Sequence, residues 1–292
     1  MTRRTDAVYG ALATLLLCAP LARAQPTDSL TTAIARAIQE EGLVGATWAL
    51  VFPSATILGA AGLNDADRDV RMSPSDRVQV GSIAKTFIAI GVLHLVTDGR
   101  VALDAPVARY LPTVTIENPW EATSPLLVRH LLDHTGGLDD ARLWQVFTLR
   151  GHPDRPLRDG LVRAGGSVRV RHPPGDRFSY SNSGFVLLGM LIEAVTNVRY
   201  EAWLEHTLLS PLGMTRSSFR FVTQSGMDGD TSLAMGHFDR RTTGATVPIP
   251  LRSAGQFTTT AEDMSRFARF LMSDGRVGDL VLVDSGLLRA MA

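Results

Sequence analysis

Ser82 and Lys85 stand three residues apart in Gly81-Ser82-Ile83-Ala84-Lys85, and Lys85 is the only lysine in the 292-residue chain. Every other basic side chain is an arginine. A guanidinium stays protonated at any working pH and cannot take a proton from a hydroxyl, whereas an amine can once its surroundings lower its pKa. On a helix, a spacing of three puts both side chains on one face, within mutual reach. The pair therefore reads as a serine nucleophile with a lysine general base, a Ser-x-x-Lys arrangement suited to acyl transfer. An arginine-rich composition that left one lysine by chance is the competing reading, and the position one turn from a serine weighs against it.

Ser82 also opens an apolar run. Amides of a first helical turn have no intrahelical partner, so the Ser82 N–H is available to a developing oxyanion, helped by the helix dipole. Alone, a serine there is an ordinary N-cap. A second cluster is Tyr180-Ser181-Asn182. A tyrosine hydroxyl can relay the serine proton, and an asparagine amide can orient both a lysine and a substrate carbonyl. Taken singly, Tyr180 reads equally as a half-buried aromatic and Asn182 as a helix cap.

These groups need elements to hold them. The pattern predicts a helix over Thr31 to Glu41 with Ile34 and Ile38 on one face, and a β-hairpin over Trp48 to Ala61 turning at Ser54. A loop from Leu63 to Asp76 leads to Val78-Gln79-Val80, and Ser82 to Thr97 is a strongly apolar, buried central helix closed by Asp98-Gly99. Further helices are expected at Leu126 to Leu132, Gly184 to Thr196 and Tyr200 to Leu208. A last helix starts at Thr259, whose hydroxyl caps with Glu262, and ends near Gly275.

Acidic and basic residues balance at 29 each without a run of either sign, which speaks against a nucleic-acid tract or a polybasic membrane anchor. Small molecules are the expected partners. Arg3 and Arg4, the apolar stretch Ala11 to Leu17 and the small-x-small Ala22-Arg23-Ala24 read as an export leader over residues 1–24, followed by one domain over 25–292. The expected destination is periplasmic or secreted. The stretch is too short to span a membrane, and no later segment is long enough. Cys18, the only cysteine, follows three leucines rather than the small residue of a lipoprotein signal, so plain cleavage and a cysteine-free mature chain are expected. His130 and His134 are four apart, but Leu131 stands where a zinc protease carries its glutamate, and Gly136-Gly137 lacks the Lys-Ser or Lys-Thr of a phosphate loop. Neither metal nor cofactor is expected.

Ser82-x-x-Lys85 followed about a hundred residues later by Tyr180-x-Asn182 resembles the serine β-lactamase and penicillin-binding-protein superfamily, in its class C β-lactamase-related branch of D-Ala-D-Ala carboxypeptidases and esterases. Leu131 to Leu138, Pro174-Gly175, Pro211-Leu212-Gly213-Met214 and Ser253-Ala254-Gly255 carry the same resemblance, which runs from about Leu30 to the end of the chain. It implies an α/β (α+β) sandwich, an antiparallel sheet with flanking helices and a mainly helical insert. Ser82 would be the acylated nucleophile, Lys85 and Tyr180 its base system, and Asn182 a substrate contact. The implied protein is a monomeric exported hydrolase of amide, ester or β-lactam substrates, including peptidoglycan-derived ones. The alternative is a non-catalytic peptidoglycan- or ligand-binding module. The family's third motif, a Lys- or His-bearing triad ending in Gly, is not found in Met272 to Ala292, and Gly236-His237 comes too early and lacks the Gly. The expectation is a fragment incomplete at its C-terminal end, or else a natural truncation, with an unfinished sheet and poor solubility.

Overall fold

The computed structural model describes residues 26–141, 155–163, 168–224, 229–239 and 242–291. The leader, its cleavage site and Cys18 lie outside the described residues. Helix α1 (Pro26–Glu40) leads into β1 (Gly45–Val51), which pairs antiparallel with β2 (Thr56–Asp65) in a register running from Gly45 opposite Gly62 to Val51 opposite Thr56. This is the expected hairpin, extended at both ends. The two-residue β3 (Val70–Arg71) joins the other edge of β2, so among the described residues the outer edge of β1 pairs with no strand.

Next come β4 (Val78–Gln79), a tight 3₁₀ turn over Gly81–Ile83, and α2 (Ala84–Thr97). A helix that faces water on one side needs a polar stripe, and α2 has none. Phe87, Ile88, Val92 and Leu95 are fully buried, and the Phe87 ring lies 4.0, 4.5 and 5.9 Å from those of Phe267, Phe257 and Phe219. The helix carrying Lys85 is thus the centre of the core.

The helical insert begins after β5 (Ile116–Glu117). Helix α3 (Val128–Leu132) starts two residues later than expected, because Leu126 and Leu127 stay extended and Leu127 bridges Pro106. Helix α4 (Leu157–Arg163) and β6 (Val168–Arg169), which runs parallel to β5, precede α5 (Asn182–Thr196). Helix α6 (Tyr200–Leu204) passes into one wider turn over Glu205–Leu209, so the expected helix to Leu208 is present but not regular throughout.

The chain returns through the small hairpin of β7 (Gly236–His237) and β8 (Thr243–Gly244) to α7 (Arg252–Gly255), β9 (Thr258–Thr259) and α8 (Ala261–Leu271). Strand β9 pairs with β4, and α8 packs against β1 while α1 packs against β2. The cap of α8 is Thr260, whose hydroxyl accepts from the Asp263 N–H at 3.1 Å, one residue beyond the expected Thr259. Thr258 and Thr259 are held in β9, which leaves the third threonine of the run to cap. The helix ends at Leu271, before Gly275, and a further hairpin of β10 (Arg276–Val277) and β11 (Leu280–Val281) leads to α9 (Ser285–Ala290). The mixed α/β architecture with antiparallel pairing and flanking helices is the one the resemblance implies.

Candidate active site

Gly81 adopts a left-handed φ of 54°, which a side chain would resist, and so turns the chain sharply out of β4 before Ser82. Ser82 is left exposed in the 3₁₀ turn rather than inside the α-helix proper. Lys85, one turn on, is 6% exposed. Its Nζ reaches the Ser82 Oγ at 3.1 Å, the Asn182 Oδ1 at 2.9 Å and the Ala254 carbonyl at 2.5 Å. The Tyr180 hydroxyl donates to the same Ser82 Oγ at 2.9 Å, and the Tyr180 ring lies 5.0 Å from the Lys85 Nζ. The structure therefore brings together all four residues singled out in the sequence, across 100 positions of chain. Gly236-His237, by contrast, lies elsewhere: the His237 Nε2 accepts from the Ala66 N–H at 3.2 Å.

Burial pulls the Lys85 ammonium below its ordinary pKa of 10.5, and the neighbouring Tyr180 and Asp140 oppose that fall in part. A lowered pKa is what a lysine base requires, since the neutral amine is the form that accepts a proton. Ser82 Oγ has one hydrogen and two lone pairs. Tyr180 occupies one lone pair, and when Lys85 is neutral the serine hydrogen can point at its nitrogen.

The sequence does not show what holds these four residues in place. Ala254 lies on α7, which Ser253 ties to α5 through its hydroxyl to the Phe185 carbonyl at 2.9 Å. Gly189 permits that approach, because a Cβ there would meet Ser253 at 2.7 Å. Arg252, 3% exposed, pairs with the equally buried Glu201 at 2.7 Å and anchors the same turn. Asp140 accepts from the N–H groups of Asn182 and Ser183 at the start of α5. His134 sits beyond α3 at a φ of 59°, stacks on Tyr180 at 4.5 Å and accepts the Ser181 N–H on Nδ1 at 3.1 Å. His130 instead holds the start of α3, its Nδ1 accepting from the Leu127 N–H at 3.3 Å. The two histidines thus do separate structural work. A hollow of about 410 Å³ flanks Lys85, lined by Leu93, Leu103, Leu132, His134 and Phe185.

Burial and the nearby Lys85 lower the His134 pKa from its usual 6.5. The folded state therefore disfavours the proton that the unfolded chain accepts near 6.5, so stability is full above that pH and falls as pH drops towards the folded-state pKa. His134→Asn keeps a residue that tolerates the left-handed backbone and removes the titration. Thermal midpoints measured between pH 7 and 5 should fall less steeply in the variant than in the wild type, and equal slopes would exclude His134 as a source of acid sensitivity.

A serine placed against a lysine and a tyrosine is an arrangement able to carry nucleophilic acyl transfer. The Beta-lactamase family profile matches residues 30–290, and the chain belongs to that family. It is 28% identical over 195 residues to Protein flp of Staphylococcus aureus strain COL, an alignment covering 66% of this chain and 38% of that protein. The chain thus spans well under half the length of that relative. The D-amino acid amidase of Ochrobactrum anthropi SV3, complexed with L-phenylalanine, superposes with a TM-score of 0.72 at 26% identity over 90% of this chain and 73% of the other. The octameric penicillin-binding protein homologue of Pyrococcus abyssi shares the fold with a TM-score of 0.72 at 24% identity, over 91% and 59% of the two chains.

Proposed function

We propose that the protein is an exported, monomeric serine hydrolase that cleaves amide, ester or β-lactam bonds through an acyl-enzyme on Ser82. The observation that carries this reading is the double engagement of the Ser82 Oγ, by Lys85 at 3.1 Å and by Tyr180 at 2.9 Å. Neutral Lys85 takes the hydroxyl proton, directly or through Tyr180, as Oγ bonds to the substrate carbonyl carbon. The Ser82 N–H steadies the resulting oxyanion. Collapse of the tetrahedral adduct breaks the bond to the leaving nitrogen or oxygen, which receives the proton back. Water, activated by the same base, then cleaves the acyl ester and restores Ser82. The substrate contact proposed for Asn182 falls to the second hydrogen of its Nδ2, since its Oδ1 accepts from Lys85 and the first hydrogen goes to Asp140. Likeness to a D-amino acid amidase and to a penicillin-binding protein homologue supports small amides and peptidoglycan-derived peptides as substrates. The basic and apolar N-terminal segment supports export to the periplasm or beyond.

A fluorophosphonate probe tests the reading. Intact-mass analysis should show one adduct, mapped to Ser82, and none on Ser82→Ala. A folded protein that takes up no probe would leave the binding-module reading in its place.

A further inference from the structure

Asp140 belongs to none of the motifs, yet it is the group that settles which way the Asn182 amide points. A carboxylate can only accept hydrogen bonds, whereas an amide presents one accepting and one donating end. The Asp140 Oδ1 accepts the backbone N–H groups of Asn182 at 2.8 Å and Ser183 at 3.2 Å, two first-turn amides of α5 that lack helical partners. Its Oδ2 accepts from the Asn182 Nδ2 at 2.8 Å. With the NH₂ end held there, the Asn182 Oδ1 is turned to Lys85, where it accepts from Nζ at 2.9 Å.

We propose that Asp140 is a positioning residue of this site, fixing the Asn182 amide so that its carbonyl and never its NH₂ group faces the amine of Lys85. The chain of bonds runs from the α5 N-terminus through Asp140 and Asn182 to the base. Without it, a rotation of the amide would set a donor against an ammonium, and Lys85 would lose one of the three acceptors that hold it beside Ser82. Asp140 also supplies negative charge to the pocket, in which Tyr180 and His134 are the other titratable neighbours of Lys85, with Asp133 and Arg129 lining the adjoining hollow.

The inference rests on Lys85 as the base of the proposed hydrolase, but its test needs no turnover. Because Lys85 is the sole lysine, protein labelled with ¹³C-lysine gives one side-chain Cε signal, whose titration reports the Lys85 pKa directly. Asp140→Ala and Asp140→Asn remove the same charge. They differ in one respect: the asparagine oxygen must serve the two backbone N–H groups, so its NH₂ forces the Asn182 amide to turn over. The expected order of Lys85 midpoints is wild type highest, Asp140→Ala lower, and Asp140→Asn lowest. The exchange Asp140→Asn with Asn182→Asp restores the donor–acceptor pattern and moves the charge next to Lys85, so its midpoint should return to the wild-type value or exceed it. Circular dichroism on each variant confirms the fold, and the double exchange keeps the test open if Asp140→Asn alone does not fold. Equal midpoints for the alanine and asparagine variants, or an exchange that stays at the Asp140→Asn value, would overturn the proposal. Absence of fluorophosphonate labelling alongside the expected order would instead count against the hydrolase reading alone.

Discussion

Lys85→Arg should slow acylation of Ser82 by about a hundredfold or more, the scale of a lost general base. The substitution keeps a cation in the pocket, so attraction for an anionic substrate survives while proton acceptance does not. It also asks a planar, bulkier head group to fit a site that is 6% exposed and shaped around a single nitrogen with acceptors on Ser82, Asn182 and Ala254. In the wild type the acylation rate should rise with pH and level off at a midpoint below 10.5, because burial lowers the amine and the neutral form is the active one. The arginine variant should lose that rise. Stopped-flow labelling with a chromogenic ester or β-lactam across the pH range measures both effects, and a variant that retains near-normal rates would show that Lys85 is not the base.

Glu201→Ala should be the most damaging substitution outside the site. It would strand Arg252, 3% exposed, without the carboxylate it pairs with at 2.7 Å. Removing one member of a buried pair costs about 3–5 kcal/mol, chiefly from the charge left behind. Urea unfolding should show that loss as a shifted midpoint with an unchanged slope. Because Arg252 and Ala254 share α7, Ser82 labelling should weaken in the variant even below the denaturation range. A loss under about 1 kcal/mol, the value for exposed pairs, would mean that the Arg252 guanidinium finds water or another partner.

The nucleophile and base were legible because they lie one turn apart, Ser82 in the 3₁₀ turn that runs directly into α2 and Lys85 in its first turn, where spacing alone decides who meets whom. Tyr180 and Asn182 were legible by resemblance, since nothing in their local pattern points to a partner 98 residues away. The roles of the supports were not legible, even where, as at Ser253-Ala254-Gly255, the segment itself carried the resemblance. Ala254 contributes a backbone carbonyl, and any residue has one of those; what matters is the β4–β9 pairing that carries α7 to Lys85, and two-residue strands leave no period in the sequence. Asp140 follows Gly136-Gly137 and belongs to no motif that the sequence marks. The place of His134 beside Gly136-Gly137, past the expected helix end, already spoke against a metal pair with His130, but its left-handed backbone and its contact with Tyr180 were not legible. The helix starts at Val128 and Ala261 were displaced for a related reason: a strand or bridge claims the residues before them first.

The burial of Lys85 in a mostly apolar helix also gives the protein a native clock for its own opening. An amine-reactive reagent too large for the hollow beside Lys85 can reach this side-chain amine only when the surroundings of α2 open. Where reclosing outpaces modification, the rate at which such a reagent labels Lys85 under native conditions reads the free energy of the opening that exposes it. Here the atom that would do the chemistry is also the one that reports whether the framework around it is intact.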